Sequence, residues 1–149
     1  KAMVSLTKGE GFGRPLLQFS FTKKPIMVSA WSGHMDFINP KFSLIVNGGL
    51  KNVDKSALVP NMIIPESQWF TPTDSSVGNS YKSIRKNYKK HLELAKRQAH
   101  YSKSNFSWDA MDKLLSSHLD KNIPKFAKQV TLNLPNLNTN KLELPKLKK

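Results

Sequence analysis

The sequence contains no cysteine. That removes disulfides, thiolate zinc sites and cysteine nucleophiles together, and it fits a reducing compartment. Long apolar runs are missing as well. The best, Pro25–Trp31 and Phe42–Val46, have the length of a strand and fall far short of the ~20 apolar residues of a membrane span. No membrane-spanning segment is expected.

Acidic residues are scarce, 10 against 24 lysines and arginines, and Glu10, Asp36, Asp54, Glu66 and Asp74 stand singly. Asp109 and Asp112 suit the first turn of a helix, where the macrodipole favours them. No carboxylate pair for acid–base chemistry stands out. The four histidines, His34, His91, His100 and His118, show neither an H-E-x-x-H pattern nor an H-x₃₋₅-H spacing, so no metal site is expected. Ser32-Gly33-His34-Met35-Asp36 contains the residue types of a triad, but neighbours on one loop do not adopt that geometry, and no G-x-S-x-G elbow accompanies them. Gly9-Glu10-Gly11-Phe12-Gly13-Arg14 lacks both G-x-G-x-x-G and a G-K-[ST] ending. It reads as a flexible turn with no helix behind it, and its Glu10 would repel phosphate. The expectation is a non-enzymatic protein with no catalytic residues, no cofactor, no metal and no small-molecule substrate.

What the sequence has is positive charge, +14 over 149 residues. Residues 1–81 carry 8 basic and 5 acidic side chains, whereas residues 82–149 carry 16 and 5. A polyanionic partner for the second half is the first inference. Hydrophobic residues make up 38% of the chain, with 9 prolines and with 8 Phe, 3 Trp and 3 Tyr spread along it. That is enough for one modest core with extended arms.

The fold class predicted is α+β: a small antiparallel N-terminal sheet, two helices at about 80–101 and 107–121, and an extended C-terminal arm. Residues 1–50 form the β-rich region, with strands at Leu16–Phe21, Ile26–Trp31 and Phe42–Val46 and a turn at Asn47-Gly48-Gly49. The alternation of Leu17, Phe19 and Phe21 carries the first of these. Residues 51–79, interrupted by Pro60, Pro65 and Pro72, read as an extended connector. Residues 80–122 read as a basic helical hairpin. Residues 123–149 hold two copies of L-x-L-P-x-L, Leu132–Leu137 and Leu142–Leu147. Proline forbids a helix there, so each copy is predicted to be extended.

In the first helix of the hairpin, Tyr81, Ile84, Tyr88, Leu92, Ala95 and Ala99 recur at helical spacing. Lys82, Arg85, Lys86, Lys89, Lys90, Lys96 and Arg97 take the remaining faces, with Lys103 just past its end. Like charges three or four residues apart cost an isolated helix ~0.2–0.5 kcal/mol per pair. A phosphate backbone would offset that cost by releasing condensed counterions, and the tyrosines offer stacking on unpaired bases. These eight cations are the candidate nucleic-acid-binding residues. Leu132, Leu134, Leu137, Leu142, Leu144 and Leu147 are the candidate partner-binding residues, suited to adding a strand to another subunit's sheet edge.

A small basic core with apolar-studded arms resembles, in composition, the ribosomal proteins, including those of organellar ribosomes. The expected function is a structural component of a ribonucleoprotein, binding rRNA through the basic helix and neighbouring proteins through the arms. The mitochondrial matrix is the guessed compartment, with nuclear and cytosolic locations left open. The alternative is a scaffold subunit of a nuclear chromatin or transcription complex, docked through the C-terminal repeats.

Overall fold

The computed structural model describes residues 1–124. Three short strands, β1 (Met3–Ser5), β2 (Ile26–Ser29) and β3 (Leu44–Val46), form a parallel sheet in the order β1-β2-β3. Between β1 and β2 the chain crosses back through a helix, α1 (Arg14–Ser20). Two further strands, β4 (Gly48–Asn52) and β5 (Gln68–Pro72), form a separate antiparallel pair. Three helices complete the described chain: α2 (Asp74–Lys86), α3 (Tyr88–Phe106) and α4 (Trp108–Asn122).

The antiparallel N-terminal sheet predicted from sequence is therefore wrong. Its supposed first strand, Leu16–Phe21, is mostly helix: Pro15 sits in the first turn of α1, where its fixed φ suits a helix and its missing N–H costs nothing. Leu16 and Ser20, four residues apart, face inward, so the Leu17/Phe19/Phe21 alternation is incidental. The true first strand, Met3–Ser5, has too few residues to show any pattern. With a helical crossover between them, β1 and β2 run parallel. The central strand β2 is buried along its whole length, with Met27 and Val28 at 0% exposure, and this explains the unbroken apolar run of Ile26, Met27 and Val28.

Asn47-Gly48-Gly49 is not a hairpin turn. Asn47 links β3 to β4, held by its N–H to Ser76 Oγ (2.9 Å) and by its carbonyl, which accepts from Thr73 N–H (3.0 Å). Gly48 already belongs to β4 and must lack a side chain, because a Cβ there would lie 2.2 Å from the Thr71 carbonyl oxygen. Nor is there one basic helix over 80–101. Helix begins at Asp74 and breaks at Asn87 (φ −118, ψ 33) before resuming as α3. The second predicted helix, 107–121, corresponds to α4, with Ser107 as N-cap accepting from Ala110 N–H. The expected arm, 123–149, lies almost entirely outside the described residues.

Leu16, Ile26, Val28, Phe37 and Ile38 form the core, with Met3, Leu17, Phe19, Ile45 and Phe106 packed against them. Helix α3 lies over this core on Ala95 and Ala99, whose small side chains allow close approach. One polar residue locks it. Gln98, 1% exposed, donates from Nε2 to the Phe37 carbonyl (2.7 Å) and to Ser102 Oγ (3.0 Å). Its Oε1 accepts from Asn39 N–H (2.9 Å) and Ser43 Oγ (3.3 Å). Gln98→Leu keeps the bulk but strands the Phe37 carbonyl and the Asn39 N–H. It is expected to destabilise the fold by about 3 kcal/mol in urea denaturation, the sum of two unsatisfied groups. A loss under about 1 kcal/mol would show that the amide is dispensable.

Candidate ligand site at the carboxyl edge of the parallel sheet

Because β1, β2 and β3 are parallel, the segments leaving their carboxyl ends lie on one edge. In open α/β sheets this is the edge where ligands bind. The segment after β1 is the glycine-rich loop. It leads directly into α1, contrary to the expectation that no helix follows it. The segment after β2 is Ala30–Ser32, followed by a 3-10 turn at Gly33–Asp36.

The two loops are tied together across 22 residues. Ser32 Oγ accepts from Glu10 N–H (2.7 Å) and donates to the Glu10 carbonyl, and Gly33 N–H donates to that same carbonyl (3.0 Å). Gly33 has no room for a side chain: a Cβ would sit 1.9 Å from the Gly11 carbonyl oxygen. Ser29 Oγ adds a bond to the Thr7 carbonyl (3.1 Å). Holding these contacts puts Ser32 at φ 86, ψ −174, a region that L residues avoid at a cost on the order of 1–3 kcal/mol.

His34 lies beneath, fully buried, its Cβ 3.0 Å from where a Gly13 side chain would begin. Its Nε2 is 2.8 Å from the Ser29 carbonyl, which only accepts, so Nε2 carries the proton. Neither Nδ1 nor the buried Thr7 Oγ1 has a hydrogen-bond partner among the described residues. Orphaned polar atoms of this kind are uncommon in folded proteins and gather at functional sites.

An aromatic and cationic wall stands beside the loops. Phe70 of β5 donates its N–H to the Lys8 carbonyl (3.1 Å), which fixes β5 against the glycine-rich loop. Trp31, 43% exposed, lies parallel to the Phe70 ring at 6.3 Å, and Lys8 Nζ is 5.4 Å from the Trp69 ring centre. Gly9 and Gly11 are exposed, and their backbone N–H groups donate no hydrogen bond among the described residues. Sequence reasoning missed this cluster because its partners are distant in the chain. The one local signal was Pro15 directly behind the glycines, a helix-start mark.

The eight candidate cations are all exposed. Lys82, Arg85 and Lys86 are on α2, and Lys89, Lys90, Lys96, Arg97 and Lys103 are on α3, beyond the break. Lys96 and Arg97 line a shallow cavity of about 800 Å³ with Phe42 and Tyr101, and Lys96 and Lys103 rim a larger groove; the other five line neither. The six candidate leucines between Leu132 and Leu147 lie outside the described residues. Among the described residues, no cluster of His, Asp and Glu could hold a metal ion, and no helix is long and apolar enough to cross a membrane.

The break between α2 and α3 holds one perturbed group. His91, half-buried, has its pKa lowered, first by loss of solvent and then by the adjacent Lys90 charge, with Ser83 opposing. Its Nε2 lies 2.9 Å from Ser83 Oγ. A histidine whose folded pKa is below its ordinary 6.5 binds fewer protons folded than unfolded. Its contribution is fully present above pH 6.5 and is lost as pH falls through the folded pKa. Thermal melts from pH 8 to pH 5 should show a decline below pH 6.5 that His91→Gln flattens. Equal declines in both proteins would assign the effect elsewhere.

No family model matches this sequence, and no curated protein or solved structure matches it.

Proposed function

We propose that this chain is an α/β ligand-binding module, taking a small phosphorylated molecule with a planar ring at the carboxyl edge of its parallel sheet. The observation that carries this reading is the pair of cross-bonded loops that hold Ser32 at φ 86. Residues held in sparsely populated backbone regions by their surroundings cluster at ligand clamps and active sites, and this one sits at the edge of the sheet where ligands bind. The free N–H groups of Gly9 and Gly11 suit phosphate oxygens, Lys8 supplies a cation, and the exposed Trp31 ring is a platform for a flat ligand.

Gly11 provides the test. A side chain there meets nothing within 4 Å, so the fold tolerates one, but it would cover the free backbone. Calorimetric titration with a panel of nucleoside diphosphates and with inorganic phosphate is expected to find binding by at least one nucleotide. Gly11→Val should keep the melting temperature and weaken that binding by roughly a hundredfold, the scale of lost phosphate contacts to a preformed site. No binding at millimolar nucleotide, or equal binding by the variant, would refute the assignment.

A second reading, a ribonucleoprotein component held on RNA, is favoured by a different observation. Lys82, Arg85, Lys86, Lys89 and Lys90 are exposed and form no ion pair among the described residues. It expects RNA affinity to fall steeply between 50 and 300 mM salt, with Lys89→Glu plus Lys90→Glu lowering both affinity and the salt slope by roughly two phosphate contacts. Salt-independent binding would sink it.

A further inference from the structure

Every residue of helix α4 but Ala110 is exposed, and its apolar stripe is left largely uncovered by the described residues: Trp108 is 91% exposed, Leu115 58% and Leu119 45%. At its start the stripe runs into a groove of about 1140 Å³ between α1, α3 and α4, floored by Phe12, Leu17, Phe21, Phe106, Trp108 and Met111. A continuous apolar surface of this kind marks an interaction site.

The rim identifies the occupant. Arg14, Lys23, Lys96 and Lys103, all exposed, surround the apolar floor. No acid lines the groove among the described residues; Lys96 on its rim pairs with Glu93 at 2.7 Å outside it, across an exposed surface where such a bond is weak and exchangeable. A second copy meeting this one groove to groove would bring the same four cations against these and be repelled, and one entering by its own α4 would offer three aspartates offset by Lys113 and Lys121, a weaker match to four cations than a helix rich in acids. The chain's own residues 125–149 carry six lysines and one acid, Glu143, and are opposed in the same way. We infer that the groove and the α4 stripe together receive an acidic amphipathic helix of another protein. Its apolar face lies on Phe106, Trp108 and Met111, and its carboxylates meet the α1–α3 rim. Asp112 borders the stripe on α4, so the partner's acids belong at the groove end rather than along α4. The groove adjoins the glycine-rich loop through Phe12 and Arg14 but is lined by none of Lys8, Gly9, Gly11, Trp31 or Ser32.

The test uses the whole chain and three dye-labelled synthetic helices of 18 residues. The first has leucines at i, i+3, i+4 and i+7 with glutamates elsewhere, the second replaces every glutamate by lysine, and the third replaces every leucine by serine. Fluorescence anisotropy is expected to show binding of the first only, the other two being weaker by at least about tenfold. Trp108→Ala, at a position too exposed to unfold the protein, should weaken it by about tenfold or more, as removal of an aromatic anchor does. Lys96→Glu with Lys103→Glu should do the same. Equal binding of the acidic and basic helices, or binding of neither, would overturn the inference. So would sedimentation as a dimer that Trp108→Ala makes monomeric, which assigns the surface to a second copy. A gain in affinity on removing residues 125–149 would assign it to the chain's own segment and overturn the inference as well.

Discussion

The fold turns on one buried amide. Gln98 uses one donor and its acceptor oxygen to join the middle of α3 to the stretch Phe37–Ser43, which leads from the 3-10 turn into β3, while its other donor bonds Ser102 within α3. Ala95 and Ala99 flank it, so α3 lies close enough for a single side chain to reach across. This fixes the rotation of α3 over the sheet and at the same time pins the far end of the loop whose near end carries Ser32 and His34. A purely apolar contact here would let the helix slide; three directional bonds across the interface permit one register. The position of Phe37 and Ile38 in the core, and the shape of the loops above the sheet, follow from it.

How much of this is legible in the chain depends on distance. Where a signal is local, it can be read: Ser107 before Asp109 marks a helix start, and the exposed lysines of α2 and α3 declare themselves by number. The direction of the sheet is not local. It rests on α1, seven residues long, whose Leu17, Phe19 and Phe21 mimic a strand unless Pro15 is given its full weight as a first-turn residue. The unbroken run Ile26-Met27-Val28 was the second clue. A strand covered on both faces has no polar side to alternate with, and that condition belongs to central parallel strands far more than to hairpins. The break at Asn87 was hidden for the opposite reason, because apolar spacing runs through it without interruption from Ile84 to Leu92.

The candidate site was invisible for a sharper reason. Taken alone, Gly9–Arg14 is a failed phosphate motif and Ser32–Asp36 a failed triad. Their meaning lies in the bonds between them: Ser32 to Glu10, Gly33 against Gly11, His34 under Gly13. None of these pairs leaves a trace in composition or spacing. What they create together is an edge where one residue is held in strain, and where backbone donors and a buried imidazole nitrogen have no partner among the described residues. Such an arrangement is costly in isolation, and arrangements of this kind gather at functional sites.

The same reasoning applies to α4 on a larger scale. A helix of 15 residues with every side chain but Ala110 exposed has little beyond its Ser107 cap and the well-placed Asp109 to hold it. Isolated helices of that length are marginal in water, and most helical stability in proteins comes from burying an apolar face. The face is present on α4 and is not buried among the described residues. Covering it would stabilise the helix and remove Trp108, Leu115 and Leu119 from water in one step. Order in α4 and occupancy of the groove are thus linked, and whatever binds there acts on the stability of the helix as well as on its surface.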